Sequence, residues 1–342
     1  MTIDMHAHWS PPELIDMYRA RTKPPQIVVN DDGVEVLKTR RGEQAFDDMF
    51  DDLDTRLAEM DEHGISTGVL SLWGPHQWIE RLPVEESAPL VQAFNDGVSK
   101  MCAEHEGRFA AYASLPQADM DAAVAEFERA IKLPGIIGAI VPGNAFMTKA
   151  DLEPYLPILA AANRHSAVLF IHWGPRPGDE WPRVTADTDN FSRRMGTLDM
   201  QSNLSSCTMT LTMTDVLSDY PDARFHIHNL GGNISFEAER LDHRSLLDTP
   251  DEPLPSTRLR KPNLYFDCNS FGAQAINLGI AAYGADRIVF ATDGTAFGCD
   301  WTNKALAAAD LTEEQMQMIR HENAAAMFGH LAPVASYRDA AE

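Results

Sequence analysis

Two histidines near the amino terminus are the first residues of this sequence whose type and spacing could do chemistry. His6 and His8 are separated by a single residue. In an extended strand, side chains at this spacing point to the same side, so both imidazoles could bind one divalent metal ion. A third histidine, His172, and a carboxylate, Asp293, would complete a zinc-like site of nitrogen and oxygen ligands with one open position.

Each of these residues also has an ordinary explanation. A single His-x-His pair is common by coincidence, and His172 ends an apolar run, as a hydrogen-bonded rim residue would. Asp293 precedes Gly294, and Asp-Gly is a frequent turn dipeptide. The metal interpretation therefore depends on whether the fold brings these residues together.

Short apolar runs alternate with helix-like stretches, as in proteins with a buried parallel sheet. About eight such repeats predict a (β/α)8 TIM barrel, an α/β fold. The predicted strands are Thr2–Met5, Thr67–Trp73, Phe109–Leu115, Ile136–Val141, Ala167–His172, Ala223–Asn229, Asn263–Asn269 and Arg287–Thr292. The clearest helical stretches are Ser87–His105, Asp119–Ile131, Lys149–Asn163 and Leu311–Met327.

The chain has 342 residues, more than the roughly 250 of a typical barrel of this kind. The surplus lies in insertions after strands 1 and 5, residues 10–55 and 174–200, and in a proline-rich loop at Asp248–Pro262. We therefore expect a distorted barrel. No internal repeat divides the chain, so we also expect one domain over residues 1–342.

The barrel supplies the test that the histidine pair needs, because functional side chains of such barrels lie at the carboxyl ends of the strands. The candidate residues all fall there: His6 and His8 just past the first predicted strand, His172 at the end of the fifth, His226 and His228 in the sixth, and Asp293 after the eighth. The sequence thus predicts a metal site at this rim.

Composition and charge exclude several classes of function. Lys and Arg number 28 against 51 Asp and Glu, and the resulting charge of −23 disfavours binding to nucleic acid or to an anionic membrane. An anionic substrate would need a local basic pocket. The sequence contains no apolar run long enough for a membrane span and no leader-like segment, so we expect a cytoplasmic protein. The four cysteines form no CxxC pair and are expected to be buried free thiols.

Other residues near predicted strand ends could form the walls of a pocket for a flat substrate, or could simply pack at the rim. These are Trp73, His76, Trp78, Trp173 and Trp181. The remaining histidines in helical stretches, including His63 and His165, are expected to be surface or packing residues. No GxGxxG, Walker or Gly-x-Ser-x-Gly motif occurs, which argues against nucleotide-dependent chemistry and a serine nucleophile.

Several short motifs follow one another along the chain in an order that is typical of a known family. They are His6-Ala7-His8, Ile171-His172-Trp173, His228-Asn229-Leu230-Gly231-Gly232 and Ala291-Thr292-Asp293, together with the segment from Arg56 to Ile65. This pattern resembles the amidohydrolase superfamily. Within it, the chain is similar to the branch of aminocarboxymuconate-semialdehyde decarboxylase and related hydratases and C–C hydrolases.

The resemblance implies one Zn²⁺, Mn²⁺ or similar divalent ion held by His6, His8, His172 and Asp293. It implies that Arg56 binds a substrate carboxylate. It further implies that Arg240 is supplied to the site of a neighbouring subunit, which predicts a functional homodimer or a larger homo-oligomer. Trp173 and Asn229 are the other predicted contacts of the substrate.

The chain departs from the family pattern at the glycine-rich turn. The family usually has a histidine at the start of this turn, as His-Gly-Gly-Gly or His-Leu-Gly-Gly, whereas here that place holds Asn229 and His228 comes one residue earlier. A one-residue slip on a strand reverses the direction of a side chain. Either a local bulge lets His228 occupy the catalytic place, which we favour, or Asn229 occupies it and the acid/base group has changed. His226 would share the side of the strand with His228.

The leading functional hypothesis is a metal-dependent, non-oxidative decarboxylase of an aromatic or unsaturated carboxylate. The metal would act as a Lewis acid, His228 as general acid/base with Asp293, and Arg56 as the clamp on the carboxylate. The same ligands also serve hydrolysis of a C–C, ester or amide bond, or hydration of a C=C bond. A metal-free barrel used for binding is the alternative of a different class.

Overall fold

Eight parallel strands form the centre of the molecule. The structure is a computed structural model and describes residues 1–39, 42–45, 52–72, 78–179, 193–294 and 299–332. The barrel strands, in their order around the sheet, are β1 (Thr2–Trp9), β5 (Ile65–Leu72), β6 (Phe109–Ala113), β7 (Ile136–Pro142), β8 (Val168–His172), β9 (Arg224–Ile227), β10 (Leu264–Asp267) and β11 (Ile288–Val289).

The last strand returns to the first, so the sheet is a nearly closed barrel. The backbone N–H of Met5 donates to the Phe290 carbonyl at 3.0 Å. Ala7 and Gly294 form a parallel bridge. The predicted (β/α)8 TIM barrel is confirmed, and each predicted strand corresponds to an observed one. Strand prediction succeeded because both faces of these strands are buried, which leaves continuous apolar runs in the sequence.

The prediction was wrong about where the first strand ends. β1 continues to Trp9, so His6 and His8 lie within the strand and not just past it. Its pairing with β5 contains a register shift between Asp4 and Ala7, where β1 has one extra residue. Polar histidines interrupt the apolar run, and this is why the strand seemed to end at Met5.

The register shift exchanges the face of β1 that points into the barrel. Before it, the odd-numbered Ile3 and Met5 pack in the barrel interior with Phe170. After it, the even-numbered His6 turns inward, with its ring centroid 4.7 Å from that of Phe170. Ala7 now packs in the outer core between strands and helices. Bulges of this kind commonly re-aim side chains next to functional sites.

Helices surround the barrel and bury its outer face. They are α1 (Pro12–Ala20), α2 (Leu53–Glu62), α3 (Val84–Glu104), α4 (Met120–Ala130), α5 (Lys149–Leu152), α6 (Leu156–His165), α7 (Met200–Met213), α8 (Val216–Asp219), α9 (Ile234–Asp248), α10 (Ala273–Tyr283), α11 (Cys299–Ala308), α12 (Glu313–Gln317) and α13 (Asn323–Phe328). Within the described residues, no helix is long and apolar enough to cross a membrane. The four cysteines are free and buried, as predicted.

Two predicted helices are interrupted. The stretch predicted as Lys149–Asn163 contains a 3₁₀ turn at Glu153–Tyr155 between α5 and α6. The stretch predicted as Leu311–Met327 begins with a capping box at Thr312 and contains a π-helical turn, Met318–Glu322. Prolines explain the first interruption, because Pro154 and Pro157 cannot donate backbone hydrogen bonds.

The insertion after β1 contains structure that the sequence analysis did not predict. Beyond α1, an antiparallel sheet is formed by β2 (Gln26–Val29), β3 (Glu35–Thr39) and β4 (Gly42–Ala45). Its strands are short and partly polar, so they lack the apolar runs that identified the barrel strands. In the second insertion, a π-helical segment, Arg194–Asp199, leads into α7.

Candidate metal centre

His6 and His8 lie side by side near the carboxyl end of β1. Both side chains are buried, and their Nε2 atoms are 3.1 Å apart. Nδ1 of His6 lies 3.0 Å from Asp267 Oδ2, and Nδ1 of His8 lies 3.2 Å from the Leu72 carbonyl oxygen. Because these oxygens accept a hydrogen bond from the Nδ1–H group, each ring presents the lone pair of Nε2 to the barrel mouth.

His172 and Asp293 add a third nitrogen and an oxygen. His172 ends β8, and its Nδ1 donates to the Trp173 carbonyl at 2.9 Å, which again leaves Nε2 with a lone pair. Asp293 Oδ1 lies 3.0 Å from Nε2 of His8 and 3.3 Å from Nε2 of His6. The three histidines each offer a ligand nitrogen within 4.8 Å of the other two.

The arrangement fits a divalent metal ion. Three imidazole lone pairs and a carboxylate oxygen that face one another repel unless a cation lies among them. Ligands bound about 2.0–2.2 Å from one ion lie about 3–3.5 Å apart, in agreement with the shortest separations measured here. Imidazole and carboxylate donors suit both zinc and manganese. The structure thus brings together the four residues predicted as ligands: His6, His8, His172 and Asp293.

The charges around these donors also favour a cation. Burial lowers the pKa of His8 and of His172, which keeps both as neutral ligands. Burial acts in the same direction on His6, but Asp293 and Asp267 outweigh it and raise the pKa of His6. Burial opposes ionisation of Asp293, yet the neighbouring His6 and His8 hold its pKa below the ordinary value. Ionised carboxylates therefore draw positive charge to this point.

Asp267 orients the cluster without being one of the four donors. It ends β10 in full burial, and its Oδ2 lies 3.0 Å from His6 Nδ1 and 3.1 Å from His226 Nε2. Its Oδ1 accepts from the backbone N–H of Asn229 and from Asn269 Nδ2, both at 2.8 Å. The sequence analysis missed Asp267, although its place near the carboxyl end of the seventh predicted strand, Asn263–Asn269, was an available signal.

His226 occupies the layer of side chains below the donors. Its Nδ1 lies 3.1 Å from the Tyr112 hydroxyl, and its Nε2 contacts Asp267. It shares the inward side of β9 with His228, as predicted. Its contacts make it a support for Asp267 and leave the donor positions to other residues.

His228 is the residue after β9 that faces the donors. Its ring stacks on His172, with centroids 4.4 Å apart and planes 15° apart, and lies 5.4 Å from His6. Its Nε2 accepts from the backbone N–H of Trp173 at 2.9 Å, whereas Nδ1 makes no hydrogen bond within the described residues. Burial lowers the pKa of His228 to about 3, so the imidazole is neutral.

Asn229 points away from the donors. It and Leu230 have φ values of 52° and 51°, so a left-handed turn begins directly after His228. The Asn229 side chain lies against Met200, and its Oδ1 accepts from Ser270 Oγ. β9 pairs with both neighbouring strands without a register shift. The altered spacing is therefore absorbed by the turn, and the expected bulge is absent.

A cleft opens to solvent beside His8 and His172. The predicted substrate contact Trp173 lines it, and so does Arg81, whose Cζ lies 3.8 Å from the centroid of the Trp78 ring. Sequence analysis did not single out Arg81. Three residues predicted near the rim lie outside the described residues: Trp73, His76 and Trp181.

The two arginines predicted to bind substrate lie elsewhere. Arg56 is buried on α2, and its Nη2 donates to the His8 carbonyl at 2.7 Å, so it supports the backbone of a donor residue. It is not among the described residues that line the cleft. Arg240 is exposed on α9, and Phe236 and Leu247 are exposed on the same helix.

A protein-family comparison matches almost the whole chain. The family described as Amidohydrolase matches residues 3–330. This range contains every barrel strand except the first residue of β1 and includes all four donors. It also includes the supporting residue Asp267.

Similar proteins include enzymes of two reaction types. The chain is 27% identical over 297 residues to gamma-resorcylate decarboxylase from Rhizobium sp., which covers 82% of this chain and 88% of that protein. It is 24% identical over 365 aligned positions to 2-keto-4-carboxy-3-hexenedioate hydratase from Sphingobium sp., which covers 97% of both.

A solved structure has the same fold. Dihydroxybenzoic acid decarboxylase from Polaromonas sp., with bound manganese and the inhibitor 2-nitroresorcinol, superposes with a TM-score of 0.71 at 21% identity. The similarity covers 96% of each chain.

Replacement of Asp267 by asparagine is expected to weaken binding of Mn²⁺ or Zn²⁺ by about 10–100-fold, because His6 loses the carboxylate that fixes its tautomer and raises its basicity. Competition with a chelator measures the affinity, and Asp310→Asn at an exposed site is the control. Equal metal affinity in the two variants would contradict the role assigned to Asp267.

Proposed function

This chain belongs to the amidohydrolase family, and from that premise we propose that it is a metal-dependent, non-oxidative decarboxylase of an aromatic or unsaturated carboxylate. The observation that carries the proposal is the convergence of three Nε2 lone pairs and Asp293 Oδ1 beside the neutral His228. The decarboxylase relatives support the choice of reaction.

We propose that His6, His8, His172 and Asp293 bind one divalent ion, either zinc or manganese. When bound, the ion supplies Lewis-acid chemistry, stabilising negative charge on oxygen atoms of the substrate. The manganese named with the Polaromonas structure supports that ion, and the donor types are equally compatible with zinc.

Decarboxylation needs a proton at the carbon atom that loses CO₂, and we assign its transfer to His228. Because Nε2 of His228 accepts from the Trp173 N–H, the neutral ring carries its proton on Nδ1. Delivery of this proton to the carbon that bears the carboxylate lets CO₂ leave, the electron pair of the broken C–C bond returns to the substrate, and a proton from water restores the neutral imidazole of His228. Asp293 is the second acid/base candidate because it lies against both histidines of β1. No oxidant takes part.

An anionic substrate requires a positive group near the cleft, since the whole chain carries a net charge of −23. Arg81 lines the cleft and stacks on Trp78, which makes it our first choice to bind the substrate carboxylate. Arg56, the residue assigned from the sequence, remains the second choice. It lies beside the metal centre, where its Nη2 donates to the His8 carbonyl.

Substrate would then lie against the aromatic wall formed by Trp173 and Trp78. Asn229, the other predicted contact, is held between Met200 and Ser270, and we assign it to support of the turn after β9.

We also propose that the enzyme works as a homodimer in which Arg240 reaches the site of the second copy. The outer face of α9 exposes large apolar side chains next to this arginine: Phe236 is 75% exposed and Leu247 62%. Exposed apolar groups on one helix favour an interface, and a two-fold axis would give each site one Arg240. The single domain and the cytoplasmic location expected from the sequence stay predictions.

Hydration of a C=C bond is the second candidate reaction, because the hydratase relative aligns along 97% of both chains. Reaction in H₂¹⁸O distinguishes the two. A hydratase places labelled oxygen in the product, whereas decarboxylation releases CO₂ without adding oxygen from water.

Metal-loaded protein is expected to release CO₂ from at least one member of a panel of hydroxybenzoates and muconate semialdehydes. His228→Asn should lower kcat by about 10²–10⁴-fold with unchanged metal content, because the proton donor is lost. His165→Asn, at the partly buried carboxyl end of α6, is the control. Absence of CO₂ across the panel, or full activity of His228→Asn, would exclude the proposed reaction or the proposed proton donor.

Arg81→Met is expected to raise KM for the carboxylate substrate by about 10–100-fold, since a charge-assisted hydrogen bond contributes about 1.5–3 kcal/mol. Arg56→Met should instead lower kcat, because His8 loses its backbone support. The exposed Arg164→Met is the control in the same steady-state assay. If KM rose for Arg56→Met and not for Arg81→Met, binding of the substrate carboxylate would be assigned to Arg56.

Mixing of two inactive variants tests the shared site. If Arg240 acts across the dimer, His228→Asn and Arg240→Ala subunits should together recover about a quarter of wild-type activity, because half of the random dimers are mixed and contain one intact site. Each variant incubated alone is the control. Recovery of no activity, despite exchange of subunits, would place Arg240 outside the partner site.

A further inference from the structure

A second group of metal-binding side chains lies outside the barrel wall, between α2 and α11. Glu59 and His63 are four residues apart, on and just after α2, so both face the same side. Cys299, the first residue of α11, lies opposite them. Each of the three offers a ligand atom within 4.8 Å of the other two. None of them belongs to the metal centre at the barrel mouth.

Asp300, in the first turn of α11, lies beside His63. Its Oδ1 lies 3.9 Å from Nδ1 of His63, whereas its Oδ2 accepts from Lys304 at 2.8 Å. A separation of 3.9 Å is too long for a hydrogen bond. It leaves room for an ion between the imidazole and the carboxylate, as ligands of a common ion do not touch each other.

Burial at this position suits a bound ion that exchanges with solvent. The Cys299 thiol is buried, with the residue 6% exposed, while the His63 side chain is 19% exposed and Glu59 is exposed. The thiol is therefore the covered member of the group, and Glu59 is its solvent-exposed member.

We propose that Glu59, His63, Cys299 and Asp300 bind a second divalent ion, and that zinc is the ion they suit best. One thiolate, one imidazole and carboxylate oxygens are the ligand types of tetrahedral zinc sites. The thiolate disfavours calcium, magnesium and manganese, which prefer oxygen donors. On binding, the Cys299 thiol releases its proton to solvent, so one proton appears for each ion bound.

The site would couple two elements that contact the catalytic end of the barrel. Arg56 lies one turn before Glu59 on α2 and donates to the His8 carbonyl. α11 follows Asp293 along the chain. An ion that joins α2 to α11 would restrict both helices, so its role is structural and its loss would reach the first site through Arg56. This inference does not rest on the proposed reaction.

Cobalt titration separates the two sites, because only the second contains sulfur. Co²⁺ added to metal-free protein is expected to give a thiolate-to-cobalt charge-transfer band in the near ultraviolet. Cys299→Ser should abolish that band. It should also weaken Zn²⁺ binding at this site by about 100-fold or more, because loss of a ligand costs more affinity than loss of a residue that only supports a ligand. The zinc content of zinc-loaded protein, measured by elemental analysis, should fall from two ions per chain in the wild type to one in Cys299→Ser.

Matched variants complete the test. Cys102→Ser, which changes another buried cysteine, should retain the band, as should a His6→Ala/His8→Ala double variant that lacks the first site. Glu59→Gln should weaken binding, whereas Glu62→Gln on the same helix should not. Absence of the band in wild-type protein, or its persistence in Cys299→Ser, would overturn the proposed site whatever the enzyme's reaction proves to be.

Discussion

The repulsion among lone pairs at the barrel mouth is the constraint on which the rest of the structure depends. Nε2 atoms of three histidines and an oxygen of Asp293 are held together, some of them only about 3 Å apart. Each imidazole is fixed by an acceptor behind it: Asp267 for His6, the Leu72 carbonyl for His8. A cation among the donors offsets this repulsion, so the cluster is suited to bind a divalent ion.

The supporting residues form a layer of hydrogen bonds beneath the donors. Asp267 connects His6 to His226, and through the Asn229 backbone it also holds the start of the left-handed turn. When this turn is held in position, His228 can stack on His172. One buried carboxylate thereby positions both a metal-binding imidazole and the segment that carries the proposed proton donor, which links metal affinity to the geometry of catalysis.

Much of this architecture follows from the sequence, because buried parallel strands leave apolar runs and barrel function lies at their carboxyl ends. These two rules identified the eight strands and brought His6, His8, His172 and Asp293 to one rim. They could not assign a role to Asp267, since an isolated aspartate near the end of an apolar run has no partner visible in the sequence. Nor could they choose between His228 and Asn229, because the choice depends on backbone dihedral angles in a single turn. Arg81 was missed for a similar reason: its position in the cleft depends on loops that carry no periodic pattern.

The reversal of faces within β1 has a consequence for how the amino-terminal segment can vary. Ile3 and Met5 fill the barrel floor, whereas His6 and His8 face its mouth. The register shift between Asp4 and Ala7 allows one strand to do both. At Ile3 and Met5, substitutions that keep the apolar volume can be accommodated, whereas His6 and His8 are needed for their ligand nitrogens. Loss or gain of one residue before His6 would turn both imidazoles toward the helices and carry Ala7 and Trp9 into the opening. The segment therefore depends on its length as well as on its two histidines.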